Sequence, residues 1–110
     1  MSNQELFTVS LDAGAIIIDF NETASKISGY SRDEVIGKNW FELFIQDDNI
    51  VEILHIFSDL FNGEDFHWEH TNSIICKNGE VKTLEWMNNI IRDKNEKPIF
   101  IHSVGIEIIK

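Results

Sequence analysis

Apolar and polar residues along this chain switch between a period of two and a period near four, and each switch marks an element. Leu6 to Leu11 alternates, Asp12-Ala13-Gly14 reads as a turn, and Ala15 to Phe20 is a dense β-branched run; together they predict a hairpin. Asn21 can then cap a short helix that Gly29 ends, and Ser31-Arg32-Asp33-Glu34 is a capping box opening a second helix that Gly37 can close. Asn39 to Ile45 reads as one further apolar helical turn. From Asp47 to Asn62 the apolar residues Ile50, Ile53, Leu54, Ile56, Phe57, Leu60 and Phe61 fall on one face at roughly 100° per residue, with Val51 at its edge. This predicts one long helix, capped by Asp47 or Asp48 and stopped by Gly63. Asp65 to Cys76, Val81 to Arg92 and Pro98 to Ile109 return to strand patterns, the first two joined through Asn78-Gly79.

Short helices of a turn or two are unstable alone and must lie across a larger surface. The element order therefore predicts an α+β fold: a five-stranded antiparallel sheet with the short helices and the one long helix packed on one face. At 110 residues, 43 % of them apolar and including three Trp, eight Phe and one Tyr, residues 1–110 form a single domain with its core at about 6–109.

Charge and cysteine narrow the function. Nineteen acidic and nine basic residues give a net charge of −10, which argues against nucleic acid and anionic lipid as partners. Cys76 is the one cysteine, so no internal disulfide forms and a reducing compartment is expected. No apolar run approaches the roughly eighteen residues that would insert across a bilayer, and nothing resembles a signal peptide. A cytoplasmic location is the expectation.

The segment Asn21 to Lys38, with Gly29-Tyr30-Ser31-Arg32-Asp33-Glu34-Val35-Ile36-Gly37-Lys38 at its centre, resembles the corresponding block of PAS domains, the small α+β sensor modules of signalling proteins. The likeness extends to Asp12 and Gly14, Glu69, Lys77-Asn78-Gly79, Trp86, Arg92-Asp93, Pro98 and the exit Gly105-Ile106-Glu107-Ile108-Ile109. In that exit Glu107 stands where the family usually has Asp, and Ile109 where it has Thr. The resemblance implies a sensory and protein-interaction module, read without its effector domain because the chain stops at Lys110. Family habit makes the parent a histidine kinase or related two-component regulator. It also implies a pocket between the long helix and the concave sheet face.

Alternation on the third and fourth strands turns Phe66, Trp68, His70, Asn72, Ile74 and Cys76, and Leu84, Trp86, Asn88 and Ile90, to one face. The last strand is apolar on both parities; family spacing turns Ile101, Ser103 and Gly105 inward. The pocket candidates are therefore His70, Asn72, Asn88 and Ser103 as polar contacts and Trp40, Phe57 and Trp86 as bulky walls. These walls, with Trp68, are also large enough to fill a cavity with their own rings. Ile75, Met87 and Ile91, joined by Phe100 and Val104, would form an apolar outer face suited to a homodimer.

Cofactor and catalytic chemistry find little support. The flavin-binding branch of the family has a reactive Cys where this chain has Trp40, and its polar flavin contacts would fall at Ile74, Leu84 and Gly105. A haem needs an axial His on the pocket side of the long helix, whereas His55 lies nearly opposite the apolar centre. His67 and Glu69 share a strand face that His70 leaves, so a third metal ligand is missing. No nucleophile arrangement or phosphate-cradling loop is present. A non-catalytic domain with no cofactor, sensing a small organic ligand or acting through dimerisation, is the leading expectation. The alternatives are a haem or non-covalent flavin sensor and a ligand-free structural adaptor.

Overall fold

The computed structural model describes residues 5–45, 51, 55, 57, 59 and 68–109, with 68–70 through their backbone. The first hairpin joins β1 (Phe7–Asp12) to β2 (Ile17–Phe20). Its turn is organised by one side chain: Asp12 Oδ1 accepts from the backbone N–H of Gly14 at 2.9 Å and of Ile16 at 3.0 Å. Ala15 takes the left-handed conformation there, with φ of 63°, and the second strand starts at Ile17 instead of Ala15.

Caps define the helices that follow. In α1 (Glu22–Ser28), Asn21 Oδ1 accepts from Ala24 N–H, and Gly29 closes the helix at φ 83°. In α2 (Arg32–Val35) both halves of the Ser31–Glu34 capping box are formed. Its C-cap is Ile36, and Gly37 follows at φ 87°, one position later than a glycine cap would stand. α3 (Trp40–Phe44) starts on Asn39, whose side chain accepts from the N–H groups of Phe41 and Glu42.

Three long strands complete the sheet: β3 (Trp68–Ile75), β4 (Val81–Arg92) and β5 (Pro98–Glu107). All pairings are antiparallel in the order β2-β1-β5-β4-β3, so the first strand lies beside the last at the centre. β5 ends at Glu107, short of the expected Ile109, and Ile108 N–H then donates to the Thr83 carbonyl. The long helix expected over residues 47–62 lies outside the described residues apart from Val51, His55, Phe57 and Asp59. Val51 is 66 % exposed and Phe57 half-buried.

One core holds these layers together. Phe7, Val9, Leu11, Ile17 and Phe20 enter it from the first hairpin, Ala24, Val35, Trp40 and Phe44 from the helices, and Ile74, Leu84 and Trp86 from β3 and β4. Two polar ties fix the helical segment to the sheet. Asn21 receives the Thr8 N–H at 3.1 Å and donates to the Leu6 carbonyl at 2.8 Å, while Lys77 donates its N–H to the Ser28 carbonyl at 2.8 Å and its ammonium to the Glu34 carboxylate.

Two predictions test this frame. Ser31→Ala loses a cap alone and is expected to cost about 1 kcal/mol. Asn21→Ala loses the cap together with both bonds to β1, so about 2 kcal/mol is expected. Thermal melts with the two changes equal would show that the ties to β1 carry nothing. The second concerns pH. Lys77 foremost, and then the Ser31 N–H, hold the Glu34 carboxyl below its ordinary 4.5. A depressed carboxylate stabilises the fold above its unfolded value, and that contribution disappears as pH falls below 4.5 through the lowered value. Acid titration of Glu34→Gln should show a smaller loss of stability below that pH than the parent chain. An equal loss in both would remove Glu34 from the account.

Candidate functional site

The concave sheet face is built in rows set by strand register. Phe7, Gly105, Trp86 and His70 stand opposite one another across β1, β5, β4 and β3, and Val9, Ser103, Asn88 and Trp68 form the next row. Leu84, Trp86 and Asn88 are buried on β4, and Ile101, Ser103 and Gly105 on β5, so both strands turn inward the parity expected of them.

Trp86 dominates the first row. A Cβ at position 105 would lie 2.7 Å from its Cζ3 and 2.9 Å from its Cε3, so the indole rests directly on the glycine backbone of β5. The ring is 4 % exposed. Phe7 meets it edge-on at 5.2 Å between centroids and Trp40 at 5.8 Å. Phe7 and Trp40 contact each other at 6.1 Å, Trp40 reaches Phe44 at 4.4 Å, and Phe44 passes the contact to Phe20 and Tyr30. Offset and edge-to-face ring pairs of this kind contribute about 0.5–1.5 kcal/mol each beyond burial. Much of the concave face is therefore covered by the chain's own rings.

One polar pair interrupts that apolar surface. The Ser103 hydroxyl donates to Asn88 Oδ1, and the two residues are 7 % and 8 % exposed. Burying polar groups without partners costs a few kcal/mol, and this bond offsets part of that cost for both residues. It lies one row from Trp86, and the two together form the compact part of the candidate site.

The remaining candidates are more dispersed. His70 lies opposite Trp86 and Asn72 opposite Leu84, with Asn72 half-buried. Phe57 makes an edge contact with Phe41 at 5.5 Å and is grouped with α3. His55 is exposed, and among the described residues no three His, Cys, Asp or Glu side chains are grouped as metal ligands. Cys76 follows β3 directly; it is buried, its thiol donates to the Ile27 carbonyl at 3.4 Å, and burial raises its pKa. Sequence reasoning did not single out Phe7, Phe20 or Phe44, although the alternation of Phe7, Val9 and Leu11 carries the signal for Phe7. It also passed over Ser10, whose hydroxyl shares a 3.0 Å hydrogen bond with His102 Nδ1 across the opposite sheet face.

Comparison with known proteins agrees with this geometry. A family model described as PAS fold matches residues 17–105. No curated protein matches the chain. Among solved structures, the PAS domain of the RpfR quorum-sensing receptor of Cronobacter turicensis, in complex with BDSF, superposes with a TM-score of 0.82 at 23 % identity, covering 99 % of both chains. A PAS domain from Colwellia psychrerythraea gives 0.78 at 22 % identity over 94 % of this chain and 86 % of that one. The Rhodobacter sphaeroides LOV protein gives 0.79 at 15 % identity over 96 % of this chain and 60 % of that one. At these identities the likeness is one of fold.

The Trp86–Gly105 contact makes a sharp prediction. Gly105→Ala should destabilise the domain by about 1–3 kcal/mol through overpacking, although alanine is the better strand residue. A denaturation midpoint equal to that of the parent chain would show that the indole is free to move aside.

Proposed function

This chain belongs to the PAS fold family, and from that premise we propose that it is a non-catalytic sensory module whose concave sheet face takes a small organic ligand. The observation that carries the reading is the Asn88–Ser103 pair, a hydrogen-bonded polar handle set in an otherwise apolar wall beside Trp86. Ligand pockets have this composition: mostly apolar lining with a few placed polar groups that fix orientation. The RpfR domain, solved with BDSF and with C12:0, supports the same use of the fold. His70 and Asn72 on β3, Trp40 and Phe57 would complete the wall.

The residues do not fit a photoactive flavin. Trp40 occupies the position of the reactive thiol and is buried in the ring cluster. Ile74 and Leu84, where polar flavin contacts would be needed, are fully buried and apolar. An exposed His55 does not suit an axial haem ligand.

A second reading has its own observation. Phe7, Trp40 and Trp86 already cover much of the face on which a ligand would lie, which favours a ligand-free interaction module. In both readings the output runs through protein contacts. On the outer sheet face Met87 is 49 % exposed, Ile91 further along β4 is also exposed, and Ile75, Phe100 and Val104 are half-buried. That face suits a homodimer contact or an effector domain of a parent signalling protein, a histidine kinase or related regulator, in the cytoplasm.

Native mass spectrometry beside a visible absorption spectrum tests the proposal. A colourless bound metabolite lost on Asn88→Ala supports the ligand sensor. An unliganded mass that no added compound shifts transfers the assignment to the interaction module, and bands near 400–450 nm, roughly where haem and flavin absorb, overturn both.

A further inference from the structure

Away from the concave face, a cleft of about 270 Å³ opens between the last turn of α1 and the turn that links β3 to β4. Its walls are held in place by the chain itself. Lys77 N–H donates to the Ser28 carbonyl at 2.8 Å, and the Cβ that Gly29 lacks would stand 3.5 Å from the Lys77 Cβ. The chain has only nine Lys and Arg residues against nineteen acids, yet Lys26, Lys77 and Lys82 all line this one cleft, with Glu80 the single acid among its lining residues.

The three ammonium groups are not equally committed. Lys77 is engaged by Glu34. Lys26 stands 3.6 Å from Glu22 and 3.7 Å from Glu5, exposed pairs that water and salt make weak. Lys82 has no carboxylate within ion-pair distance among the described residues. Its Nζ donates to the Ile27 carbonyl at 3.0 Å, which uses one of three N–H groups. The carbonyl end of a helix repels anions, but here the Ile27 carbonyl also accepts from the Cys76 thiol and so is already satisfied. The Asn78 amide at the rim adds a neutral donor.

We propose that this cleft is a binding site for a small polyanion, a phosphorylated or polycarboxylate metabolite, held by Lys82 and Lys26 with Lys77 behind them. More than one negative charge is needed because a single charge would gain little over the carboxylates already near Lys26 and Lys77. The site is independent of the concave face, so its occupancy is a second input to the domain.

Amide NMR titration with pyrophosphate and with citrate, at about 0.15 M ionic strength so that unspecific attraction is screened, tests it. Saturable shifts confined to residues 26–29 and 76–82 are expected, with a Kd below about 1 mM. The tighter of the two probes tells phosphate from carboxylate chemistry. Lys82→Met, which keeps the apolar stem, should weaken binding about tenfold. Lys26→Gln, at an exposed position outside the core, decides the matter if the first variant disturbs the fold. Shifts that rise linearly with probe, or that survive unchanged in Lys26→Gln and in folded Lys82→Met, overturn the proposal.

Discussion

The absence of a side chain at Gly105 is the constraint on which the interior depends. It lets the Trp86 indole lie against β5 where a methyl group would stand 2.7 Å from the ring. Once the indole is seated, Phe7 reaches it from β1 on the far side of β5, Trp40 closes from α3, and Trp40 in turn positions Phe44. Rings added in this sequence each bury area and gain a small directional term, so the cluster is worth more than any one contact. The same contact sets how much of the concave face is left for anything else. A glycine chosen for packing thus also governs the size of the site.

The helices depend on the sheet in a different way. α1, α2 and α3 span seven, four and five residues, too short to stand on propensity. Caps and ties replace what length does not supply. Asn21 shows the economy of this: one side chain caps α1 and bonds the backbone of Leu6, just before β1, and of Thr8 within it. Lys77 does the equivalent at the far edge, joining the β3–β4 turn to the end of α1 and to α2. α1 and α2 are therefore fastened to the sheet at both ends.

Local chemistry was readable from sequence because it acts over three or four residues. The capping box at Ser31, the left-handed Gly29 and the Asn78-Gly79 turn need only near neighbours, and all are formed. The family and the antiparallel α+β sheet were legible from the order of such signals. Ile36 instead of Gly37 at the end of α2 is a one-residue error of the kind that helix ends invite. What escaped was long-range. β5 is apolar on both parities, so its inward set of Ile101 and Ser103 comes from family spacing and not from pattern; what fixes it physically is pairing with β1, some ninety residues away in the case of Ser10 and His102. Asn88 could be named from alternation and Ser103 from family spacing. Their hydrogen bond could not, because the β4–β5 register follows from the turn at Asp93–Lys97, where Glu96 takes a φ of 66° and the pairing shifts between Ile91 and Arg92.

A single sheet separates the ring cluster from the outer face, and this gives the fold a short route between them. On β4 the inward Trp86 and Asn88 flank the outward Met87; on β5 the inward Ser103 and Gly105 flank the outward Val104, and Met87 and Val104 are direct cross-strand partners. Side chains on opposite faces of a strand share its backbone, so in the proposed sensor a shift of the indole off Gly105 would be passed to Met87 and Val104 through that shared backbone. That route would need no chain of intermediaries, only the peptide units on either side of Met87 and Val104. Ser103 and Asn88 bond each other across the same two strands, one row from the indole. On the proposed reading, a ligand that replaced the Ser103–Asn88 bond with bonds of its own and packed against the indole would act on both strands at once. On that reading the binding site and the switch would be the same few residues.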